Sequence, residues 1–254
     1  MNKIIGLVFC LIFTGCSTLG TYNPATGRSE FILIPTSEEV LMGQSIHAQI
    51  LTENQLSTNE ESLARVDRVG QRLALLSDRQ DYPYHFFLIE KDEFNAFTTP
   101  GGNIYFYTGL LNHLETDDQV ASVLAHEIGH CAARHTVKKF QAALGYNLLG
   151  SIIFSQFEMG AIAQKIAGLS SNAVMNIVFS AYGRQDEFEA DRLGIKYMYL
   201  AGYKLEAMGE TFEILKKGSK EEGPPLILRS HPYLEDRIEA AKKEIETVEA
   251  KYGR

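Results

Sequence analysis

Residues 123–135 read VLAHEIGHCAARH. His126 and His130 stand four apart, so on an α-helix they share one face a turn apart and their ring nitrogens can converge on one ion. Glu127 follows His126 directly and is rotated about 100° from it. His135 lies five residues beyond His130, off that face if the helix runs on, and carries no role in this reading. Val123, Leu124, Ala125, Ile128 and Ala132 are apolar, so the same stretch also reads as a buried helix whose histidines are bonded internally.

His126-Glu127-Ile128-Gly129-His130 matches H-E-x-x-H, in which the histidines bind zinc and the glutamate serves as general base. Gly129 strengthens that reading: a glycine inside a helix costs about 1 kcal/mol against alanine, a cost that close approach of another segment or of substrate would explain. A catalytic zinc needs three protein ligands and an open position for water, so two histidines are not enough. GRQDEFEADRLG, residues 183–194, offers Asp186, Glu187, Glu189 and Asp191. Glu187 and Asp191 share a helical face, whereas Glu189 points largely away from both. One carboxylate can bind zinc while its neighbour orients a ligand histidine. The bland alternative is a solvated acidic helix start favoured by the macrodipole.

Outward from this stretch the chain reads as a globular α+β protein of 254 residues, 45% apolar and 22% charged. Capping-box patterns at Thr36/Glu39 and Thr58/Glu61 introduce helices over about 37–52 and 60–76, and further helices are expected over about 118–135, 185–200 and 232–251. YHFFLI (84–89) and IYFYT (104–108) read as strands. Residues 137–180 carry glycines and polar interruptions that suit buried or lid-forming helices better than a membrane span. The net charge of −8 opposes contact with phosphate backbones, so no nucleic-acid partner is expected.

The N-terminus has the layout of an export signal over residues 1–15: Lys3, a ten-residue apolar run, then Thr14 and Gly15. FTGC, residues 13–16, resembles a bacterial lipobox, which implies a lipidated Cys16 anchored to the outer membrane and facing the periplasm, with residues 16–35 as a tether. Cys131 then has no disulfide partner and reads as a small buried side chain.

HEIGH followed by E-x-x-x-D at Glu187 and Asp191 resembles the gluzincin zinc metallopeptidases of the HtpX, BepA and CAAX prenyl endopeptidase kind, most closely their small bacterial lipoprotein members. NAFTTPGGNIYFYTGLL (95–111) and SHPYLEDRI (230–238) extend the likeness, which covers about 36–250 within a peptidase domain expected over 36–254. The resemblance implies a mostly helical zincin-like fold with a small antiparallel or mixed sheet whose edge strand borders the cleft. It implies one Zn2+ per chain held by His126, His130 and Glu187, with Glu127 activating water and Asp191 fixing a ligand histidine. His231 is implied near the metal, stabilising the oxyanion or filling the open position in a latent state, and Arg237 belongs to the same block. The stretch from Gly102 to Thr108 is implied as the edge strand to which an unfolded or misassembled protein substrate adds. The implied activity is endopeptidase quality control; a latent zinc-bearing chaperone-like or assembly factor is the second reading.

Overall fold

The computed structural model describes residues 20–145, 159–218 and 224–253. The expected export signal, Cys16 and part of the 137–180 segment lie outside the described residues.

Folded structure begins earlier than the expected tether allows. Thr21–Asn23 (β1) and Arg28–Glu30 (β2) pair as an antiparallel hairpin, Tyr22 opposite Ser29. Its turn closes because Asn23 accepts from the Ala25 amide through its side chain and from the Gly27 amide through its carbonyl, with Gly27 at φ 69°. Ile32 and Ile34 then enter the core, and the Gln141 side chain bonds the backbone at Phe31 and Leu33.

Two helices follow, Thr36–Glu53 (α1) and Glu60–Ala74 (α2), but neither uses the capping box expected of it. Pro35 occupies the first N-cap, the Thr36 hydroxyl accepts from Arg79, and Glu39 is buried against Arg134 and so cannot fold back. Asn59 rather than Thr58 caps α2, accepting from the Ser62 amide.

The three-stranded sheet is mixed: His85–Ile89 (β3) runs parallel and Ala96–Thr99 (β4) antiparallel to a central Asn103–Tyr107 (β5). The expectation that residues 102–108 form the edge is therefore corrected; β5 is paired on both sides, and the edge toward the metal-bearing helix is β4. The fragment NAFTTPGGN folds back on itself through Pro100–Gly102, so its first half, not its second, becomes the outer strand. That turn requires Gly101, at φ 80°, whose Cβ would stand 2.8 Å from the Glu39 carbonyl oxygen. Alternation along β5 feeds two cores: Ile104 and Phe106 face one with Leu88, while Tyr105 and Tyr107 face the other with Ile89 and Phe97.

After a short turn of helix at Thr108–Leu111 (α3) comes Asp117–Ala132 (α4). Here a capping box does form, between Thr116 and Gln119. From Gln119 to Ala132 every residue of α4 is buried, as expected of a helix gripped on several sides. It stops at Arg134, held at φ 59° with its guanidinium buried against Glu39 and the Ile34 carbonyl, and a separate helix, His135–Leu144 (α5), starts there. Ala161–Ala167 (α6) and Ser171–Val178 (α7) bury Ile162, Ile166, Val174 and Val178 in the second core. Arg184–Ala201 (α8) packs along α4, followed by Glu206–Gly218 (α9), Leu226–Ser230 (α10) and Leu234–Tyr252 (α11). Among the described residues no helix is long and apolar enough to cross a membrane.

Candidate metal centre

Two glycines let α4 and α8 touch backbone to backbone. A Cβ on Gly129 would lie 2.6 Å from the Ala190 carbonyl oxygen, and one on Gly194 3.1 Å from the His126 amide nitrogen. This contact accounts for Gly129 in a helix interior. It also carries the first two turns of α8 alongside the histidines, so that Glu187 and Asp191, one turn apart, face them together.

The resulting cluster is dense and dry. His126 Nε2 lies 3.1 Å from His130 Nε2 and 3.1 Å from His231 Nδ1; Glu187 Oε1 lies 3.4 Å from His130 Nε2 and 3.1 Å from His231 Nδ1. His126, His130, Glu187 and His231 are buried, and one ligand atom from each lies within 4.8 Å of all the others. Asp191 Oδ1 is 2.8 Å from His126 Nδ1, on the side of the ring away from the cluster. Arg237 reaches both carboxylates, donating to both Asp191 oxygens at 2.7 and 2.8 Å and standing 2.7 Å from Glu187 Oε2. Its side chain is buried, so it is an interior organiser of the site and not a surface ion pair.

Burial pushes the His130 imidazole well below its usual pKa, which keeps it neutral with a lone pair to offer. Burial opposes ionisation of Glu187 and Asp191, but Arg237 together with the neighbouring histidines, His231 and His130 at Glu187 and His126 at Asp191, outweighs it and holds both carboxyls below the usual range. The converging donors are therefore one carboxylate, Glu187, and imidazole nitrogens, a set that suits a divalent zinc ion, with the Asp191 anion outside it behind His126. Glu127 behaves differently. Both of its carboxylate oxygens are buried without a hydrogen-bond partner, and His231 Nε2 comes no nearer than 3.6 Å. A buried carboxylate left unbonded is costly in a finished structure, so this orphan marks where a metal and the molecule it activates fit.

His126, Glu127, His130, Glu187, Asp191, His231 and Arg237 meet at this site. Three residues given no role there in the sequence reading stand beside it. Tyr182, buried, lays its ring on His130 with centroids 3.9 Å apart; nothing in its sequence surroundings signalled this. His135, set aside on helical spacing, stands with its Nδ1 2.9 Å from that of His130, because the break at Arg134 turns it back. Glu189, which points away from the cluster as expected, meets His135 Nε2 at 3.3 Å. Of the remaining histidines, His47 bonds the Tyr105 hydroxyl, and His85 and His113 are exposed. Cys131 is a buried thiol pushed up to about 12 by burial, with Thr98 as its neighbour. Beside Glu127 and His126 opens an apolar pocket lined by Val123, Met208, Phe212, Leu215 and Ile227.

A helix bearing H-E-x-x-H, with a second helix bringing a carboxylate to it, is the arrangement of the zinc metallopeptidase class. The sequence places it further: residues 60–245 match peptidase family M48, and the chain belongs to that family. It is similar to the beta-barrel assembly-enhancing protease of Escherichia coli, 30% identical over 230 residues, covering 86% of this chain and 46% of that one. The putative beta-barrel assembly-enhancing protease of Vibrio cholerae is 32% identical over 230 residues, covering 85% and 46%. The mitochondrial metalloendopeptidase OMA1 of Schizosaccharomyces pombe is 27% identical over 222 residues, covering 85% and 64%. The chain thus spans about half the length of the bacterial relatives.

Proposed function

We propose that the protein is a zinc-dependent endopeptidase in which His126, His130 and Glu187 hold the metal and Glu127 is the general base. Zinc in such a site supplies Lewis acidity, polarising the scissile carbonyl and acidifying water. Glu127 accepts the proton of the attacking water and passes it to the leaving amine. Asp191, clamped by Arg237, keeps His126 in the tautomer that presents Nε2 to the cluster. The observation that carries this reading is Glu127 itself: a purely structural metal site has no use for a buried, unbonded carboxylate beside its ligands.

His231 supports a refinement. Its Nδ1 lies within 4.8 Å of the other donors, which supports a resting state in which His231 fills the position an active site leaves to water and substrate. Withdrawal of His231 would free that position for water and substrate, and the displaced ring would then be available to stabilise an oxyanion. This resting form also suits the second reading, a zinc-bearing assembly factor with little proteolysis. Substrate is proposed to add as a strand along β4, the edge nearest α4. The four residues of β4 are buried and Phe97 meets Phe179 edge to face, so the segment after α7 moves aside first.

Unfolded or misassembled proteins of the periplasm and outer membrane are the proposed substrates, supported by the assembly-enhancing proteases among the relatives. The proposed attachment is a lipid on Cys16, supported by the FTGC pattern. Digestion of unfolded casein tests the activity. Chelation should abolish it and zinc restore it, while Glu187→Ala should lose both metal and cleavage; casein cleavage by the metal-free protein would refute the reading. Cys16→Ser should leave the membrane fraction; its retention there would refute the lipid anchor.

A further inference from the structure

The ring of His135 is fully enclosed, yet nothing proposed above uses it. We propose that His135 is a positioning residue for the metal centre: it accepts the Nδ1–H of His130, leaving His130 Nε2 free for zinc, and is itself held by Glu189 and Arg28. This rests on the assignment of His130 as a zinc ligand.

The proton arrangement follows from the contacts. His130 Nε2 faces the donor cluster and must be bare to bind a metal, so its proton sits on Nδ1. The neighbour of that nitrogen is His135 Nδ1 at 2.9 Å, which must then accept. An accepting Nδ1 leaves the proton of His135 on Nε2, and Nε2 faces Glu189 Oε2 at 3.3 Å and Asp186 Oδ1 at 3.5 Å, both acceptors. The reverse assignment fails twice: it points an N–H into the metal cluster, and it sets a bare Nε2 lone pair against a carboxylate. Glu189 in turn takes a 2.8 Å ion pair from Arg28 on β2. The two ligand histidines are thus oriented by different devices, His126 by the Asp191–Arg237 pair and His130 by a chain that ends on the N-terminal hairpin. Five-residue spacing does not put His135 there; the left-handed Arg134 does.

The test measures zinc affinity of the full chain by competition with a chromophoric chelator, with the visible spectrum of the cobalt-substituted protein as a second readout. His135→Leu, with no acceptor, should bind zinc about 10–100-fold more weakly and shift the cobalt spectrum. His135→Asn places an amide oxygen near the lost Nδ1 and should regain most of the affinity. Glu189→Ala should weaken zinc in the same direction, by about 10-fold at most. A folded His135→Leu with wild-type affinity and spectrum overturns the proposal, as does His135→Asn behaving like His135→Leu. If His135→Leu does not fold, wild-type affinity in Glu189→Ala overturns it. His130→Ala separates the underlying assignment: tight zinc binding in that variant would refute the ligand reading itself.

Discussion

Gly129→Ala isolates the contact on which the metal centre depends. The new Cβ would stand 2.6 Å from the Ala190 carbonyl oxygen, and ordinary contact begins at 3.4 Å, so α4 and α8 must separate by about 0.8 Å. Alanine gains about 1 kcal/mol of helix propensity, while overpacking costs about 1–3 kcal/mol. The net change in stability is therefore modest, from about zero to 2 kcal/mol of loss. The site is far less tolerant. Glu187 lies one turn before Ala190 on the displaced helix, and zinc–ligand distances hold to within about 0.2 Å. Zinc affinity should fall at least about 10-fold and kcat/KM by about 100-fold, measured by chelator competition and casein digestion. Gly209→Ala is the matched control, since its Cβ meets nothing within 4 Å; it should stabilise α9 slightly and leave zinc alone. Gly129→Ala with unchanged zinc affinity and turnover would refute the idea that helix contact sets the donor geometry.

Arg237→Met leaves Asp191 and Glu187 buried without their partner and should cost about 3–5 kcal/mol in chemical denaturation; Arg237→Lys should recover only part, because an ammonium cannot bond both Asp191 oxygens in plane. Because Arg237 and the neighbouring histidines hold both carboxyls below the usual range despite burial, their stabilising contribution to the metal-free protein is present above about pH 4 and lost as pH falls through the folded values. Asp191→Asn should flatten that acid limb. Burial brings Lys139 down to about 8 from 10.5, so between those values the unfolded chain holds a proton the folded one lacks and stability rises with pH. Lys139→Met should remove that rise, and a persisting rise would reassign it. Met208→Phe narrows the apolar pocket beside Glu127 and should shift casein cleavage toward smaller apolar side chains; an unchanged peptide profile by mass spectrometry would place substrate elsewhere.

Much of the site is legible in the sequence because short-range helical geometry fixes it. His126 with His130, and Glu187 with Asp191, are i, i+4 pairs whose relation survives any packing, and Gly129 announced the close approach of a second helix. Misread features depend on where the backbone departs from regularity. His135 returns to His130 because Arg134 adopts a left-handed conformation, stabilised by a buried pairing with Glu39, some 95 residues away. Strand order is equally non-local: β5 carries the stronger strand pattern, and the weaker AFTT takes the outer position through the turn at Gly101. The hairpin at 21–30 looked like a tether because turn-forming residues dominate it, whereas its order comes from Asn23 closing the turn and from Ile32 and Ile34 packing next to it.

The most direct test is Glu127→Gln, assayed together for bound zinc and for casein cleavage. The substitution keeps the shape of the side chain and removes only its capacity to take a proton, and Glu127 is not among the converging donors. The variant should hold one zinc per chain with wild-type affinity and cleave no casein; zinc-loaded Glu127→Gln that digests casein at the wild-type rate would contradict the account.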